Sequence, residues 1–354
     1  MNLNQLQTST IMIIAFTRPE DMYSRAWIKY CEEKGISYKI IDIYSTDAIS
    51  QIKGCDVFMW HHNQVNPMDL LFAKQILAAV EASGMIVWPE SASGWHFDDK
   101  VAESYLFDAL NLPMVPYYIF YDKHKALDWA KTASFPKVFK LRGGAGSMNV
   151  MLAHNVSEAQ KFIRQAFGKG FSQFNWKYSI VSRYHKWLSG HDSLMGVIKG
   201  VVHALIGDTE LAKLGRKYHK ERGYAYFQDF LPNNDRDYRV IVINQNKAFA
   251  YYRMTRKNDF RASGSGDFAY DNIPDNVIKL AFTAAKTMGA NSVAFDFLYT
   301  QQGEPKIVES SFCFGFDDTD AENGWWGDDM VFHQGKFNPF GWMVDGVIER
   351  YHAQ

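Results

Sequence analysis

The chain has 354 residues, of which 47% are hydrophobic and 22% charged, a composition typical of a globular protein rather than a disordered one. Lys+Arg 38 against Asp+Glu 39 leave a formal net charge of -1, so no basic field indicates nucleic acid as a partner. A chain this long rarely folds around one core, and two or three subdomains are expected.

The three cysteines, Cys31, Cys55 and Cys313, show no CxxC spacing. This pattern favours a reducing compartment and predicts neither a zinc site nor a disulfide framework. The first apolar run, residues 11–16, is far too short for a signal sequence or a membrane span. We therefore expect a cytoplasmic protein without a membrane span; its oligomeric state cannot be predicted.

Residues 1–94 alternate between apolar runs and helical patterns. Strands are predicted at 11–16, 38–43, 55–60 and 85–88, with helices between them. This alternation predicts an α/β unit with a mostly parallel sheet. It contains no GxGxxG sequence, so no dinucleotide site is assigned to it.

The rest of the chain divides into three predicted segments. Residues 95–170 are predicted to form a small α+β unit, and residues 171–222, rich in basic and aromatic residues, a helical insertion or lid. A solvated helical face explains the second segment as well. Residues 223–354 turn to strands and predict an antiparallel-sheet unit.

A glycine-rich loop follows a short apolar run at residues 135–150, FPKVFKLRGGAGSMNV. The run ends in Lys140, and Gly143, Gly144, Gly146 and Ser147 follow. Glycine lets backbone N–H groups approach an anion closely, so a lysine beside such a loop indicates a nucleotide phosphate site. A glycine-rich hairpin after an edge strand is the alternative.

Two carboxylates lie in neighbouring predicted strands near the C-terminal end. Asp296 lies in SVAFDFLY and Glu309 in PKIVESSF, and a short hairpin can place them opposite each other, with Ser311 on the face of Glu309. Lone charges in such apolar runs are costly, and a Mg²⁺ ion shared with nucleotide phosphates explains them. The alternative is that ordinary strand acids pair with nearby arginine or lysine.

Arginines form the third element of the pattern. Arg239 lies in DYRV, Arg253 in YYRMTR and Arg261 in NDFRASGSG. Guanidinium groups match the oxygens of a phosphoryl group in transfer, so several arginines beside a glycine loop favour a site. The alternative for a single arginine is an ordinary surface position.

In this order, the lysines, the glycine loop, QDFL, DYRV, NDFRASGSG, FDF and VESS together resemble the ATP-grasp superfamily. The glutathione synthetase, D-alanine–D-alanine ligase and ribosomal-protein glutamate ligase branches are the most similar. The resemblance covers residues 95–316 and implies two α+β subdomains that clasp ATP, preceded by an N-terminal α/β domain.

The resemblance also implies roles for individual residues. Lys100, Lys140 and the loop 143–147 would contact ATP phosphates, and Asp237 would bind the ribose. The catalytic residues would be Arg239, Arg253 and Arg261, in contact with the γ-phosphate or an acyl-phosphate. Backbone groups of Gln228, Asp229, Phe230 and Leu231 would hold adenine. Asp296 and Glu309 would bind Mg²⁺, with Ser311 in the place where the family usually has asparagine, which puts a second metal in doubt.

The implied reaction is ATP-dependent ligation of a carboxylate, on a small molecule, sugar acid or peptide, to an amine or thiol through an acyl-phosphate. A small-molecule kinase and a non-catalytic ATP-binding protein are the alternatives. The aromatic segment 312–342 is interpreted as a packed cap or an aromatic-lined pocket. With the basic insertion it suggests an acidic sugar or peptide, hence a role in modifying cell-surface polysaccharide. The histidines, among them His61 and His62, are expected at the surface, and no Cys–His arrangement is predicted.

Overall fold

The computed structural model describes residues 12–64, 66–144, 149–172, 193, 195, 220–256, 259–262, 266–317 and 319–354, and within them the strands form three sheets. The fold is mixed α/β and α+β, as predicted.

The N-terminal unit is a parallel sheet covered by helices. Helix α1 begins where the Asp21 carboxylate accepts the Tyr23 N–H, and it ends at Gly35, whose φ of 68° is left-handed. The sheet order is β2–β1–β3–β4. Strand β2 lies on one side of β1, and β3 and β4 lie on the other, so the topology switches between β1 and β3. Its elements are β1 (Ile14–Thr17), α1 (Met22–Lys34), β2 (Tyr38–Ile41), α2 (Ala48–Ile52), β3 (Val57–Met59), α3 (Pro67–Ala82), β4 (Ile86–Trp88) and α4 (Ser91–Gly94).

The central unit is an antiparallel sheet in the order β5–β8–β6–β7. Phe139 and Phe227 point to the sheet face covered by α6 and α7, while Val138, Lys140 and Gln228 point to the opposite face. Its elements are α5 (Lys100–Ala109), β5 (Tyr117–Phe120), α6 (Lys123–Thr132), β6 (Lys137–Lys140), β7 (Val150–Ala153), α7 (Val156–Ala166) and β8 (Ala225–Asp229).

Strand β8 corrects one detail of the predicted division. A boundary at residue 223 assigns β8 to the C-terminal unit, but β8 pairs with β5 on one side and β6 on the other. Residues 225–228 are all buried, and the strands on either side satisfy the backbone of β8 in the interior of the central sheet. The predicted insertion or lid at 171–222 falls almost entirely outside the described residues; at its two ends, Phe171 and Glu221 form an antiparallel bridge.

The C-terminal unit is an antiparallel sheet in the order β13–β12–β9–β10–β14–β15, with β11 beside β10. Helix α8 covers one face, and the other face packs partly on the N-terminal unit. The elements are β9 (Arg236–Ile243), β10 (Lys247–Met254), β11 (Phe268–Ala269), α8 (Asp275–Met288), β12 (Ser292–Tyr299), β13 (Pro305–Ser311), a 3₁₀ turn (Asp320–Glu322), β14 (Trp325–Gly327), β15 (Phe332–His333) and α9 (Pro339–His352).

Aromatic side chains join the N-terminal and C-terminal units. The Phe312 ring lies 4.7 Å from His62 and 4.5 Å from Phe97, centroid to centroid. Tyr30 of α1 donates a hydrogen bond to Asp345 of α9 at 2.9 Å. The segment 312–342 thus contributes much of this core, as a packed cap does. In the part of the chain that the structure describes, no helix has the length and apolar character to traverse a bilayer.

Replacing Phe312 with alanine is expected to lower the free energy of unfolding by about 3–5 kcal/mol, because a fully buried ring leaves a cavity between two units. Urea denaturation monitored by fluorescence measures the loss. Phe332→Ala, at a ring that is 43% exposed, is the matched control and should cost much less. Equal losses in the two variants would contradict the bridging role of Phe312.

Candidate active site

A cavity lies between the free faces of the central and C-terminal sheets. It encloses about 910 Å³ of empty space, part of it open to solvent. Most of the residues singled out from the sequence line it, although they come from segments far apart in the chain. These residues are Lys100, Lys140, Gly144, Gln228, Asp229, Phe230, Leu231, Asp237, Arg261, Asp296 and Glu309.

The remaining predicted residues do not line the cavity or cannot be placed. Gly143, Arg239, Arg253 and Ser311 are described but lie outside its wall. Gly146 and Ser147 lie outside the described residues. The loop is therefore placed only up to Gly144, whose N–H donates to Asp98 at 2.7 Å and whose φ of 112° favours glycine.

Two lysines form the cationic wall of the cavity. Lys100 Nζ donates to the Gly144 carbonyl at 2.6 Å and lies 4.0 Å from Glu309. Burial lowers the pKa of Lys140 to about 8, and the neighbouring Lys100 charge adds to this effect against the opposing pull of Glu309. The wall therefore holds a buried ammonium that an added anion would stabilise.

The apolar end of the cavity is a slot between the two sheets. Val138 of β6 lines one side and Leu298 of β12 the other, and the chain leaves β8 between them at Phe230 and Leu231. Gln228 is buried, and its Nε2 finds no hydrogen-bond partner among the described residues. A flat apolar group that carries an acceptor would fit here, because the orphaned amide is costly when left unpaired.

Strand register creates a network of buried charges on the floor of the cavity. Directly opposite pairs are Asp237 with Arg253 and Arg239 with Asp296. Arg239 grips both oxygens of Asp296 at 2.6 and 2.7 Å, and Arg253 reaches Asp296 at 2.7 Å and Asp237 at 2.6 Å. Two carboxylates and two guanidinium groups thus neutralise each other.

The network has opposite effects on its two acids. Burial would raise the pKa of Asp296, but the two guanidinium groups outweigh it and hold that pKa well below the usual range. For Asp237, burial prevails over Arg253 and the pKa is raised. Asp296 therefore stays ionised, and the arginines that were expected to contact substrate mainly position this carboxylate.

Glu309 stands opposite Asp296 on β13, as predicted from the hairpin. The pairing shifts register between Asp296 and Phe297, a bulge that sets Val308 and Glu309 side by side in the cavity wall. The Glu309 side chain is 33% exposed, against 5% for Asp296. Ser311 points away to a turn in which its Oγ accepts the Cys313 N–H at 3.3 Å.

These donors fit a Mg²⁺ ion only together with ligand oxygens. Glu309 and Asp296 supply hard carboxylate oxygens, which Mg²⁺ prefers. Within the described residues no group of three or more His, Cys, Asp or Glu side chains is arranged to hold a metal ion. An ion at this place would therefore share its coordination with phosphates or water.

Sequence reasoning missed Glu103, which packs behind the acidic strand. Its carboxylate accepts the Ser310 N–H, and burial together with the charge of Glu309 raises the pKa of Glu103 to about 8. At neutral pH Glu103 is therefore mostly protonated. Its position one helical turn after Lys100 was the available signal, because residues three apart in a helix share a face.

The prediction of surface histidines is wrong for His61 and His62, which are buried at the carboxyl ends of the N-terminal strands. His61 Nδ1 lies 2.9 Å from the Asp21 carboxylate, and its ring stacks on Tyr23 at 4.0 Å. Burial lowers the pKa of His61, but the hydrogen bond to the Asp21 carboxylate outweighs burial, and the pKa is raised to about 9.

A family comparison covers part of this site. Residues 223–317 match the RimK-like ATP-grasp domain, a segment that contains the acidic hairpin and the arginine network. No curated protein sequence matches the chain.

Solved structures match nearly the whole chain at low identity. An ATP-grasp RimK domain protein from Sphaerobacter thermophilus is 12% identical with a TM-score of 0.55, over 95% of this chain and 99% of that one. D-cycloserine synthetase DcsG is 12% identical with a TM-score of 0.58, over 96% and 99%. The ATP-grasp ligase PsnB, solved with its minimal precursor, is 13% identical with a TM-score of 0.55, over 96% and 98%. The predicted ATP-grasp fold is confirmed.

Asp296→Asn is expected to lower the free energy of unfolding by roughly 3–5 kcal/mol, because two buried guanidinium groups lose their shared anion. Urea denaturation at neutral pH measures the change. Asp328→Asn is the control, since its pair with Lys286 is exposed and should contribute less than about 1 kcal/mol. A cost for Asp296→Asn no larger than the control's would show that the network is not structural.

Proposed function

Because the chain has the ATP-grasp fold, we propose that it is an ATP- and Mg²⁺-dependent ligase that joins a carboxylate to an amine or a thiol. The observation that carries the proposal is the convergence of Lys100, Lys140, residues 228–231, Asp296 and Glu309 on one cavity. A cationic wall, an apolar slot and an acidic hairpin are what a nucleoside triphosphate with its metal requires.

The nucleotide is proposed to lie along the cavity with its base in the apolar slot. Backbone groups of residues 228–231 and the Gln228 amide would bind the base, and Asp237 the ribose. Lys100, Lys140 and the loop 143–147 would bind the phosphates. The Asp237 carboxylate lines the cavity and accepts from Arg253 at 2.8 and 2.6 Å, and its remaining lone pairs could accept a hydrogen bond from a ribose hydroxyl.

Mg²⁺ is proposed to bind at Glu309 and Asp296, with Ser311 as a further candidate. When bound, the ion would neutralise phosphate charge and orient the terminal phosphoryl group. Glu309 is the better exposed of the two carboxylates, while Asp296 keeps its oxygens on Arg239 and Arg253. The protein thus presents one accessible ligand and one carboxylate fixed in place.

The proposed chemistry has two steps. The substrate carboxylate attacks the γ-phosphorus of ATP, which releases ADP and forms an acyl-phosphate. The amine, or thiol, then attacks the acyl carbon and displaces phosphate, and its proton leaves to solvent or a base. Arg261 lines the cavity and would contact the transferring group, whereas Arg239 and Arg253 would act by holding Asp296.

The second substrate is proposed to approach where the N-terminal strands end against residues 311–314. Open parallel sheets bind ligands at the carboxyl ends of strands where the topology switches, here between β1 and β3. His61 and Arg18 lie there, but His61 is paired with Asp21 at 2.9 Å and Arg18 with Asp69 at 3.1 Å, so a substrate carboxylate would have to compete with these acids. A cytoplasmic setting stays part of the proposal.

The polysaccharide hypothesis keeps little structural support. Phe312, Phe314, Phe337 and Phe340 are buried in the core instead of lining an open aromatic pocket. The basic insertion, its other basis, lies outside the described residues. A carboxylate on a small molecule or a peptide fits the proposed site as well as a sugar acid does.

The position of Ser311 favours one alternative function. Its hydroxyl is engaged with Cys313 and lies outside the cavity wall, so the metal site has fewer protein ligands than the usual family pattern. A non-catalytic ATP-binding protein would need no second metal. Product analysis also separates the ligase from a small-molecule kinase, which would leave the phosphate on its substrate.

Glu309→Gln is expected to lower ATP turnover by about 100-fold or more, because the accessible metal ligand loses its charge. ADP release in the presence of Mg²⁺ and a library of carboxylates and amines measures it. Glu304→Gln, at an exposed acid on the adjoining turn, is the control and should keep full activity.

Two results would count against the ligase. Equal turnover in both variants would remove Glu309 from the mechanism. Binding of ATP without turnover across the whole library would support the non-catalytic alternative.

ATP binding is expected to take up protons near pH 8. Lys140 has a lowered pKa of about 8 in the free protein, and phosphate oxygens would raise it, so the group protonates on binding. Well below pH 8 it is already charged and uptake should vanish. Titration calorimetry in buffers of different ionisation enthalpy measures the number of protons.

Lys140→Met is the matched variant for this measurement. It should bind ATP more weakly and lose most of the proton uptake at pH 8. Unchanged uptake in Lys140→Met would assign the protonation to another group.

A further inference from the structure

A second cavity lies in the N-terminal unit, between α3 and the segment from the end of β4 through α4. It contains about 640 Å³ of empty space, part of it open to solvent, a size typical of small-molecule pockets. None of its lining residues lines the nucleotide cavity. We propose that it binds a free α-amino acid with an apolar side chain.

Two buried polar atoms at this cavity lack a hydrogen-bond partner. His62 Nε2 and Glu90 Oε2 make no hydrogen bond with any described residue, and His62 is 3% exposed and Glu90 6%. The Arg350 guanidinium, 31% exposed, is ion-paired with Glu90 Oε2 at 4.0 Å, a separation beyond hydrogen-bond distance. The other Glu90 oxygen is used: it accepts the Asn291 N–H at 2.7 Å and the Ser93 hydroxyl. Unpaired buried polar atoms cost free energy, so a ligand that pairs with them is favoured.

Charges of both signs line the cavity. Lys74 supplies an ammonium, held at 2.6 Å to the Phe97 carbonyl, and Glu90 supplies a carboxylate. Burial lowers the pKa of His62 to about 3, and the charges of His61 and Lys74 add to this, so His62 is neutral. A ligand carboxylate would face Lys74 and His62, and a ligand ammonium would face Glu90.

The rest of the wall is apolar. Leu77 and Ala78 of α3 and Pro89 form it, and Trp95, 46% exposed, stands at its edge. A purely apolar ligand would leave the His62 and Glu90 atoms unpaired, and a nucleotide would need more cations than Lys74 provides. A zwitterion with an apolar side chain satisfies both parts of the wall.

Titration calorimetry on the full nucleotide-free chain tests the proposal with L-leucine, L-phenylalanine and L-tryptophan. Phenethylamine and 3-phenylpropionate are the matched probes, because each lacks one charge of phenylalanine. We expect saturable binding of at least one amino acid. Where that amino acid is phenylalanine, each probe should bind at least about tenfold more weakly than phenylalanine, because it loses one charge-assisted contact.

Two alanines on the exposed side of α3 provide the variants. Ala78→Phe fills the cavity and should weaken binding at least tenfold, whereas Ala79→Phe, exposed on the same helix but outside the cavity wall, should not change it. Glu90→Gln should weaken binding of the amino acid and of phenethylamine but leave 3-phenylpropionate unchanged. Glu90→Gln decides the question where Ala78→Phe does not fold.

The proposal is overturned if no amino acid of the three binds saturably. It is also overturned if both Ala78→Phe and Glu90→Gln bind the amino acid as strongly as the unchanged protein does, because the ligand then occupies another site. Loss of ATP turnover does not enter this test, so the second cavity stands or falls independently of the ligase activity.

Discussion

The shared ion pair of Asp296 with Arg239 and Arg253 is the constraint on which the C-terminal half of the site depends. It joins the three adjacent strands β12, β9 and β10, and of its three side chains only Asp296 reaches the cavity wall. Buried charges need partners of correct geometry, and antiparallel register supplies them because directly opposite residues share a face. The position of Glu309 follows from the same register, since it stands opposite Asp296.

The central sheet supplies the complementary wall. Strand β8 ends at Asp229, so the chain crosses from one sheet to the other at the apolar end of the cavity. The Asp229 N–H donates to Pro116 at 2.9 Å, and the Asp229 carboxylate pairs with Lys137. These bonds fix the crossing point, so residues 228–231 line the cavity from a fixed position.

Much of this arrangement could be predicted from the sequence, because the relevant signals are local. The alternation of strands and helices predicted the N-terminal sheet, and the short hairpin predicted that Asp296 and Glu309 stand opposite each other. Sheet membership of β8 could not be predicted, because a strand buried at both edges looks the same in either sheet. The partners of Arg239 and Arg253 depend on register across three strands, which a linear pattern does not contain.

The prediction of surface positions for His61 and His62 was wrong for the same reason. His61 is stabilised by Asp21, 40 positions away in the chain, and His62 by ring contacts with Phe97 and Phe312. The residues next to His61 in the sequence do not predict these partners. A long-range electrostatic contact becomes visible only when the fold brings strands of different units together.

Asp296 and Glu309, the two carboxylates of the hairpin, differ in how easily each could be substituted. With Glu309 as the metal ligand proposed above, a relative without that activity could replace Glu309 at little structural cost, but it could not easily lose Asp296, with which two buried guanidinium groups pair. Retention of aspartate at position 296 among relatives would therefore say little about whether they are active enzymes. The residue at position 309 should instead distinguish active from inactive relatives.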